Sequence, residues 1–166
     1  MYLLYKQSSI PIKPFLIEDM KVIKRRPKPF VANMSSMQIG KKHYYYYNVM
    51  TFLFRGFFRE FKEYDIIINN KIVSKAVLIS KVPLYGFLPK KGVHLCYCET
   101  IPEARGKGLY PLLLKYIQSE RQQNDLYMIV DEDNLPSIKG IEKAGFVKYA
   151  QVKKLPNGCF VKYENL

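Results

Sequence analysis

Short runs of apolar residues separated by turn formers set the rhythm of the chain. Residues 2–5 (YLLY) predict a short strand, after which Pro11 and Pro14 break the pattern and Phe15 to Lys24 reads as a short helix. Lys24 to Pro29 is basic and proline-broken, so it reads as a loop, and Gly40-Lys41-Lys42 as another. Tyr44 to Tyr64 is dense in aromatics. Phe54, Phe57, Phe58 and Phe61 recur at helical spacing with Arg55, Arg59 and Lys62 between them, which predicts a helix across the second half of this stretch. Its aromatic stripe suits either a core face or the wall of an acceptor pocket. Ile66-Ile67-Ile68 and Ile72 to Ile79 flank Asn69-Asn70 and predict a hairpin, followed by a loop punctuated by Pro83, Gly86, Pro89 and Gly92.

The second half predicts a strand over Val93 to Ile101, a glycine-bearing loop, and a helix to about Gln123. Leu126 to Val130 is a short apolar run of strand type. Asp131 to Asn134 is a polar stop before a helix from Pro136 to Ala144, which Gly145 closes. Phe146 to Lys153 and Phe160 to Tyr163 flank Pro156-Asn157-Gly158, a hairpin turn. Hairpins, then strand, helix, strand, helix and a closing hairpin make an α+β pattern around one mixed sheet. The strand-helix-strand portion implies a parallel pair joined by a right-handed crossover.

At 166 residues, with 48% hydrophobic and 25% charged residues, the chain predicts a single globular domain. Its three cysteines, Cys96, Cys98 and Cys159, form no CxxC pair and there are two histidines, which argues against a zinc site or a disulfide framework and for a reducing compartment. No apolar run approaches the ~20 residues of a membrane span, and the first residues lack the pattern of a secretory signal, so the expected location is cytoplasmic. A homodimer is left open. Lys plus Arg is 27 against 14 for Asp plus Glu, a net charge of +13, which points to an anionic partner: nucleic acid, a membrane surface, or a phosphate-rich small molecule.

Candidate chemistry gathers at Cys98 to Tyr110 (CETIPEARGKGLY), where a strand meets a glycine loop and then a helix. Free backbone N–H groups and the helix dipole at such a junction favour an anion. The loop Arg105-Gly106-Lys107-Gly108 is neither a GxxxxGK[ST] loop nor a GxGxxG fingerprint, since Pro111 stands where a third glycine would be. About thirty residues on, Asn134-Leu135-Pro136-Ser137 opens the helix that ends at Gly145-Phe146.

Together, PEARGKGLYPLLL and NLPSIKGIEKAGF resemble the GNAT superfamily of acyl-CoA N-acyltransferases over residues 65–163. The first motif of that family is [RQ]xxGx[GA], matched through Leu109, with Tyr110 in place of the small last residue. The resemblance implies a GNAT-like mixed, mostly antiparallel sheet with a splayed parallel pair and helices on both faces. Residues 1–64 would then form acceptor-side elements. It also implies that the strand ending at Thr100, with Cys98 and Thr100, pairs with the pantetheine arm of acetyl-CoA. Arg105, Gly106, Lys107, Gly108, Leu109 and Tyr110 would hold the pyrophosphate. Asn134 and Ser137 would bond the pantetheine or thioester region, or serve as a helix cap and a first-turn serine.

The implied reaction is direct transfer of an acetyl group from acetyl-CoA to a primary amine, such as that of an amino sugar, in an acceptor that can be anionic. Strict alternation puts His94, Cys96, Cys98 and Thr100 on one face and Tyr97 and Glu99 on the other. His94 stands where relatives often carry a glutamate, and is one candidate base; Glu99 is its rival, though facing the other way unless the strand is bulged. Ile141 stands where many relatives carry a tyrosine, for which Tyr97, Tyr110 and Tyr149 are candidate substitutes. A backbone N–H near Thr100 or Ile101 would stabilise the oxyanion. Two other readings compete: a catalytically silent CoA-binding domain, and a basic nucleic-acid-binding module, against which the absence of a recognised motif argues.

Overall fold

The computed structural model describes residues 1–8, 20–26, 61–80, 86–89, 92–121 and 126–165. The described strands are β1 (Tyr2–Gln7), β2 (Lys21–Arg25), β3 (Phe61–Ile68), β4 (Lys71–Ser80), β5 (Val93–Thr100), β6 (Leu126–Asp131), β7 (Phe146–Lys154) and β8 (Phe160–Asn165). Among the described residues two α-helices, α1 (Leu109–Ser119) and α2 (Leu135–Lys143), follow β5 and β6, and a short 3₁₀ turn spans Pro102–Ala104. The strands form one eight-stranded sheet in the order β2-β3-β4-β5-β6-β1-β7-β8. Every neighbouring pair is antiparallel except β5 and β6.

Local chemistry accounts for the turns. Asn69 and Asn70 carry positive φ of 50° and 60°, the left-handed pair that a two-residue hairpin requires and asparagine tolerates. Gly145, at φ 89°, ends α2 so that β7 can begin at once. The apolar stripe of α1, Leu109, Leu113, Leu114 and Ile117, packs with Ile141 of α2 on Tyr64, Ile66, Ala76, Leu78 and Leu95 of the sheet. The buried Gln118 locks the two helix ends together, donating to the Ala144 carbonyl at 2.8 Å. Both helices therefore share one face. Among the described residues no helix covers the other face, where Leu4, Tyr127, Ala150 and Val152 form a smaller cluster with Phe87 and Leu88.

Several sequence expectations change. Lys21 to Arg25 is strand, because pairing with β3 overrides the local helical pattern and takes Lys24 and Arg25 out of the expected loop. Phe61 to Tyr64 begins β3 instead of ending a helix; the rest of the aromatic stretch lies outside the described residues, as do residues 15–19. Helix α1 stops at Ser119, short of Gln123. The expected division at residue 64 falls inside β3, and β1 lies between β6 and β7 in the heart of the other half. Among the described residues no helix is long and apolar enough to cross a membrane.

Candidate functional site

Strand β5 changes character halfway. Val77 faces Cys96 and Lys75 faces Glu99, so two steps on β4 match three on β5. The extra residue is absorbed at Tyr97, whose φ of 48° marks a β-bulge. Before the bulge, Leu95 opposes core residue Leu78, while His94 and Cys96 oppose Ile79 and Val77 on the other face. Beyond it, Cys98 packs against the helix-side core, and the Thr100 hydroxyl lies 2.9 Å from that of Ser74. The strict alternation expected from sequence is thus corrected: His94, Cys96 and Glu99 share the face away from the helices, and Cys98 and Thr100 the face toward them.

The bulge coincides with a fork in the sheet. β5 pairs with β6 only through Val93 and His94, facing Leu126 and Tyr127, so from Leu95 onward its edge toward β6 is open. The fork leads into a cleft of about 500 Å³ lined by residues from three segments. Cys98, Glu99 and Thr100 come from β5, Ala104, Arg105, Gly106, Gly108, Leu109 and Tyr110 from the glycine loop and α1, and Asn134, Pro136 and Ser137 from the start of α2. Of the candidate cofactor-binding residues, Cys98, Thr100, Arg105, Gly106, Gly108, Leu109, Tyr110, Asn134 and Ser137 line this one cleft; Lys107 is exposed outside it. Ala104 and Pro136 line it too and were not singled out from sequence; the short turn and the proline early in α2 are the local signals that place them.

Gly108 caps α1 with φ 72° and no side-chain hydrogen bond, and Gly106 has φ 76°, conformations that favour glycine. A Cβ at either would meet nothing within 4 Å, so their backbone faces open space. The first bond of α1 runs from the Leu112 N–H to the Gly108 carbonyl at 3.1 Å, which leaves the N–H groups of Leu109 and Tyr110 for a ligand. Arg105 folds back, its Nε donating to the Thr100 carbonyl at 3.1 Å, and so ties the loop to the end of β5. At α2, Asn134 Oδ1 accepts from the Ser137 N–H at 3.3 Å. The capping role is therefore real, and the amide nitrogen of Asn134 remains available to donate.

Tyr110 resolves how a large residue fits a glycine position. Its ring packs over Gly140 of α2, where an added Cβ would come within 2.5 Å of Tyr110 Cδ1. Its hydroxyl is hydrogen-bonded to the Cys98 side chain, and burial pushes its pKa well above 10. Burial likewise pushes the Cys98 thiol up to about 12 and Cys96 well above its ordinary value, so neither cysteine offers a thiolate. Ile141 is buried in the core and brings no hydroxyl to the cleft. Of the three candidate tyrosines, only Tyr110 lines the cleft; Tyr149 sits beside Tyr127 across the sheet, at 6.2 Å between ring centroids.

The two candidate bases separate. Glu99 lines the cleft, and its Oε2 is buried with no hydrogen-bond partner among the described residues. His94 lies at the closed end of the fork, opposite Tyr127, is 4% exposed and does not line the cleft. Burial pushes its imidazole down to about 3, so it is a weak base in the wrong place. His94 thus stands apart from the cleft that Glu99 lines. Ile101 is also removed as an oxyanion donor, because its N–H already donates to the Val73 carbonyl at 3.0 Å.

No protein-family model matches the chain, and no curated protein does. Solved structures do. An acetyltransferase from the GNAT family of Colwellia psychrerythraea aligns with a TM-score of 0.54 and 14% identity over 89% of this chain and 52% of its own. A protein of Novosphingobium aromaticivorans assigned to the GNAT-family acetyltransferases aligns at 0.50 and 14% identity, covering 89% and 59%. A conserved protein of unknown function from Staphylococcus epidermidis aligns at 0.52 and 10% identity, covering 89% and 57%. The chain thus spans less than two thirds of each of these proteins. At these identities the likeness is one of fold: this chain has the GNAT fold.

Proposed function

We propose that this GNAT-fold chain is an N-acetyltransferase that moves an acetyl group from acetyl-CoA to the primary amine of a small molecule, such as an amino sugar. The observation that carries the reading is the cleft at the fork of β5 and β6, where an open strand edge, a glycine loop at a helix N-terminus and a polar helix start converge. These supply the three things a phosphopantetheine ligand needs: a strand to pair with, N–H groups for its pyrophosphate, and polar contacts near its thioester. The net charge of +13 favours such a polyanion.

In this reading the amine nitrogen attacks the thioester carbonyl, a new C–N bond forms, and Glu99 takes the proton that the nitrogen loses. The C–S bond breaks and the sulfur leaves as thiolate, whose ordinary pKa near ~8.5 makes it a competent leaving group. Tyr110 keeps its own proton, since burial raises its hydroxyl well above its ordinary value and that hydroxyl is engaged with the Cys98 side chain, so the sulfur leaves without a proton from this residue. The readings as a silent CoA-binding domain and as a nucleic-acid module differ from this one in turnover and in ligand.

Calorimetry with acetyl-CoA and a thiol-release assay over a panel of amines test it. Wild type is expected to bind acetyl-CoA and release thiol, Gly108→Trp to lose binding, and His94→Ala to keep turnover within a few-fold. Saturable binding with no turnover on any amine would instead support the silent domain; salt-sensitive oligonucleotide binding without acetyl-CoA binding would support the nucleic-acid module.

A further inference from the structure

A second cavity opens at the end of the sheet where β5 and β6 part, on the far side of β6. At that end Asp131 of β6 faces Tyr2 of β1, and Tyr2 faces Val152 of β7. The cavity measures about 450 Å³ and is lined by Met1, Tyr2, Lys153, Lys154 and Tyr163. That volume falls in the ~300–1,000 Å³ range typical of small-molecule sites. Only the turn after β6 separates it from the cleft. The Glu132 N–H donates to the carbonyl of Met1 at 3.1 Å, and Asn134, two residues on, lines the cleft.

The lining combines aromatic rings with ammonium groups. Lys153 and Lys154 close β7 and are both exposed. Successive residues of a strand point to opposite faces, so a cavity lined by both wraps the end of β7. Tyr163 stands at a register shift: Lys162 faces Val152 and Glu164 faces Gln151, so Tyr163 has no opposite residue on β7. A bulge of this kind re-aims a side chain, and Tyr163 is 62% exposed. Tyr2 is held against Phe160, ring centroids 5.1 Å apart and planes at 83°, and so forms a fixed wall. Aromatic faces take a nucleobase by stacking, and lysine ammonium groups take a phosphate as point charges. The acidic run Asp131-Glu132-Asp133 bounds the cavity on the β6 side and repels an anion, which directs the phosphate toward β7.

We infer that this cavity binds a mononucleotide, its base against Tyr2 and Tyr163 and its phosphate on Lys153 and Lys154. The nucleotide is either free or one end of the acceptor. β7 stands two strand spacings from β6, ~10 Å, so a single small molecule can span the cavity and the cleft. Placing the nucleotide on the acceptor rests on the acyl-transfer reading; the site itself does not.

The test uses uridine monophosphate (UMP), whose base differs from the adenine of acetyl-CoA, with uridine and inorganic phosphate as its two parts, read by calorimetry. Wild type is expected to bind UMP at least about tenfold more tightly than either part, and equally well with acetyl-CoA present. Lys153→Gln/Lys154→Gln is expected to bind UMP no better than uridine, and Lys153→Arg/Lys154→Arg to restore binding. Tyr163→Ala is expected to lose about fivefold or more, and Tyr163→Phe to keep wild-type binding. These side chains are exposed, so each variant is expected to keep the wild-type unfolding midpoint. UMP binding no tighter than that of phosphate or uridine, displacement of UMP by acetyl-CoA, or undiminished binding in Lys153→Gln/Lys154→Gln overturns the site. Thiol release from acetyl-CoA then separates the two sources. A lower KM for an aminohexyl ester of UMP than for hexylamine, lost in Lys153→Gln/Lys154→Gln, assigns the site to the acceptor; a change in hexylamine turnover on adding UMP assigns it to a free nucleotide. UMP binding with no thiol release on any amine upholds the site and counts against the acyl-transfer reading alone.

Discussion

At the scale of single residues, burial decides which titratable groups can act. His94 has a folded pKa of about 3 against an ordinary 6.5, the shift arising from desolvation. Between those values the unfolded chain binds a proton that the folded chain refuses. Stability from this source is therefore fully present above ~6.5 and falls with acidification at ~1.4 kcal/mol per pH unit until the folded pKa is reached. Wild type is expected to lose about 2 kcal/mol more than His94→Leu between pH 6.5 and pH 5, measured by denaturant unfolding at both. An equal loss in the two proteins would show that His94 is not held neutral. The identity of His94 was legible in the sequence, and its burial was not, because burial depends on the strands paired on either side.

At the scale of elements, the cleft depends on how α1 lies on α2. Tyr110 occupies a position that its motif gives to a small residue, and the compensation is on the other helix, where Gly140 leaves room for the ring. Gly140→Ala would place a Cβ within 2.5 Å of Cδ1 and 2.7 Å of Cε1 of Tyr110. That overlap is expected to cost about 1–3 kcal/mol, despite the better helix propensity of alanine. In Tyr110→Ala the same Gly140→Ala change is expected to be neutral or stabilising, and a double-mutant cycle of thermal or denaturant unfolding measures the difference. Additive effects would dissociate the two positions. The bulge at Tyr97 works at this scale as well. By inserting one residue it brings Glu99 to the face of His94 and turns Cys98 and Thr100 toward the helices. A period-2 reading of the sequence carries no sign of it, because nothing local to Cys96-Tyr97-Cys98 demands a positive φ.

At the scale of the whole molecule, β1 holds the second half of the sheet together. It pairs antiparallel with β6 through Tyr2 to Lys6 and with β7 through Tyr2 to Gln7, so both of its edges are used. Its Leu4 is fully buried. Leu4→Pro removes a ladder donor and the side chain from an interior strand and is expected to abolish the cooperative unfolding transition. Ile23→Pro in β2, which pairs only with β3 among the described residues and leaves its side chain 42% exposed, is expected to retain the transition at a lower midpoint. Circular dichroism melts of the two variants check this; similar behaviour would show that β1 is not the central tie.

Taken by itself, the sequence determined most of what depends on near neighbours along the chain. The Asn69-Asn70 and Pro156-Asn157-Gly158 turns, both helices, the Gly145 stop and the run from Cys98 to Gly108 follow from backbone preference and apolar period, and so does the α+β class. Tertiary structure alone decided the rest: the slot taken by β1, the strand at Lys21 to Arg25, the bulge and the fork. These depend on pairing between segments distant in sequence, where hydrogen bonds across strands and burial outweigh local propensity. The same physics separates the two candidate bases, which differ by five residues in sequence and lie on opposite sides of the point where the sheet opens.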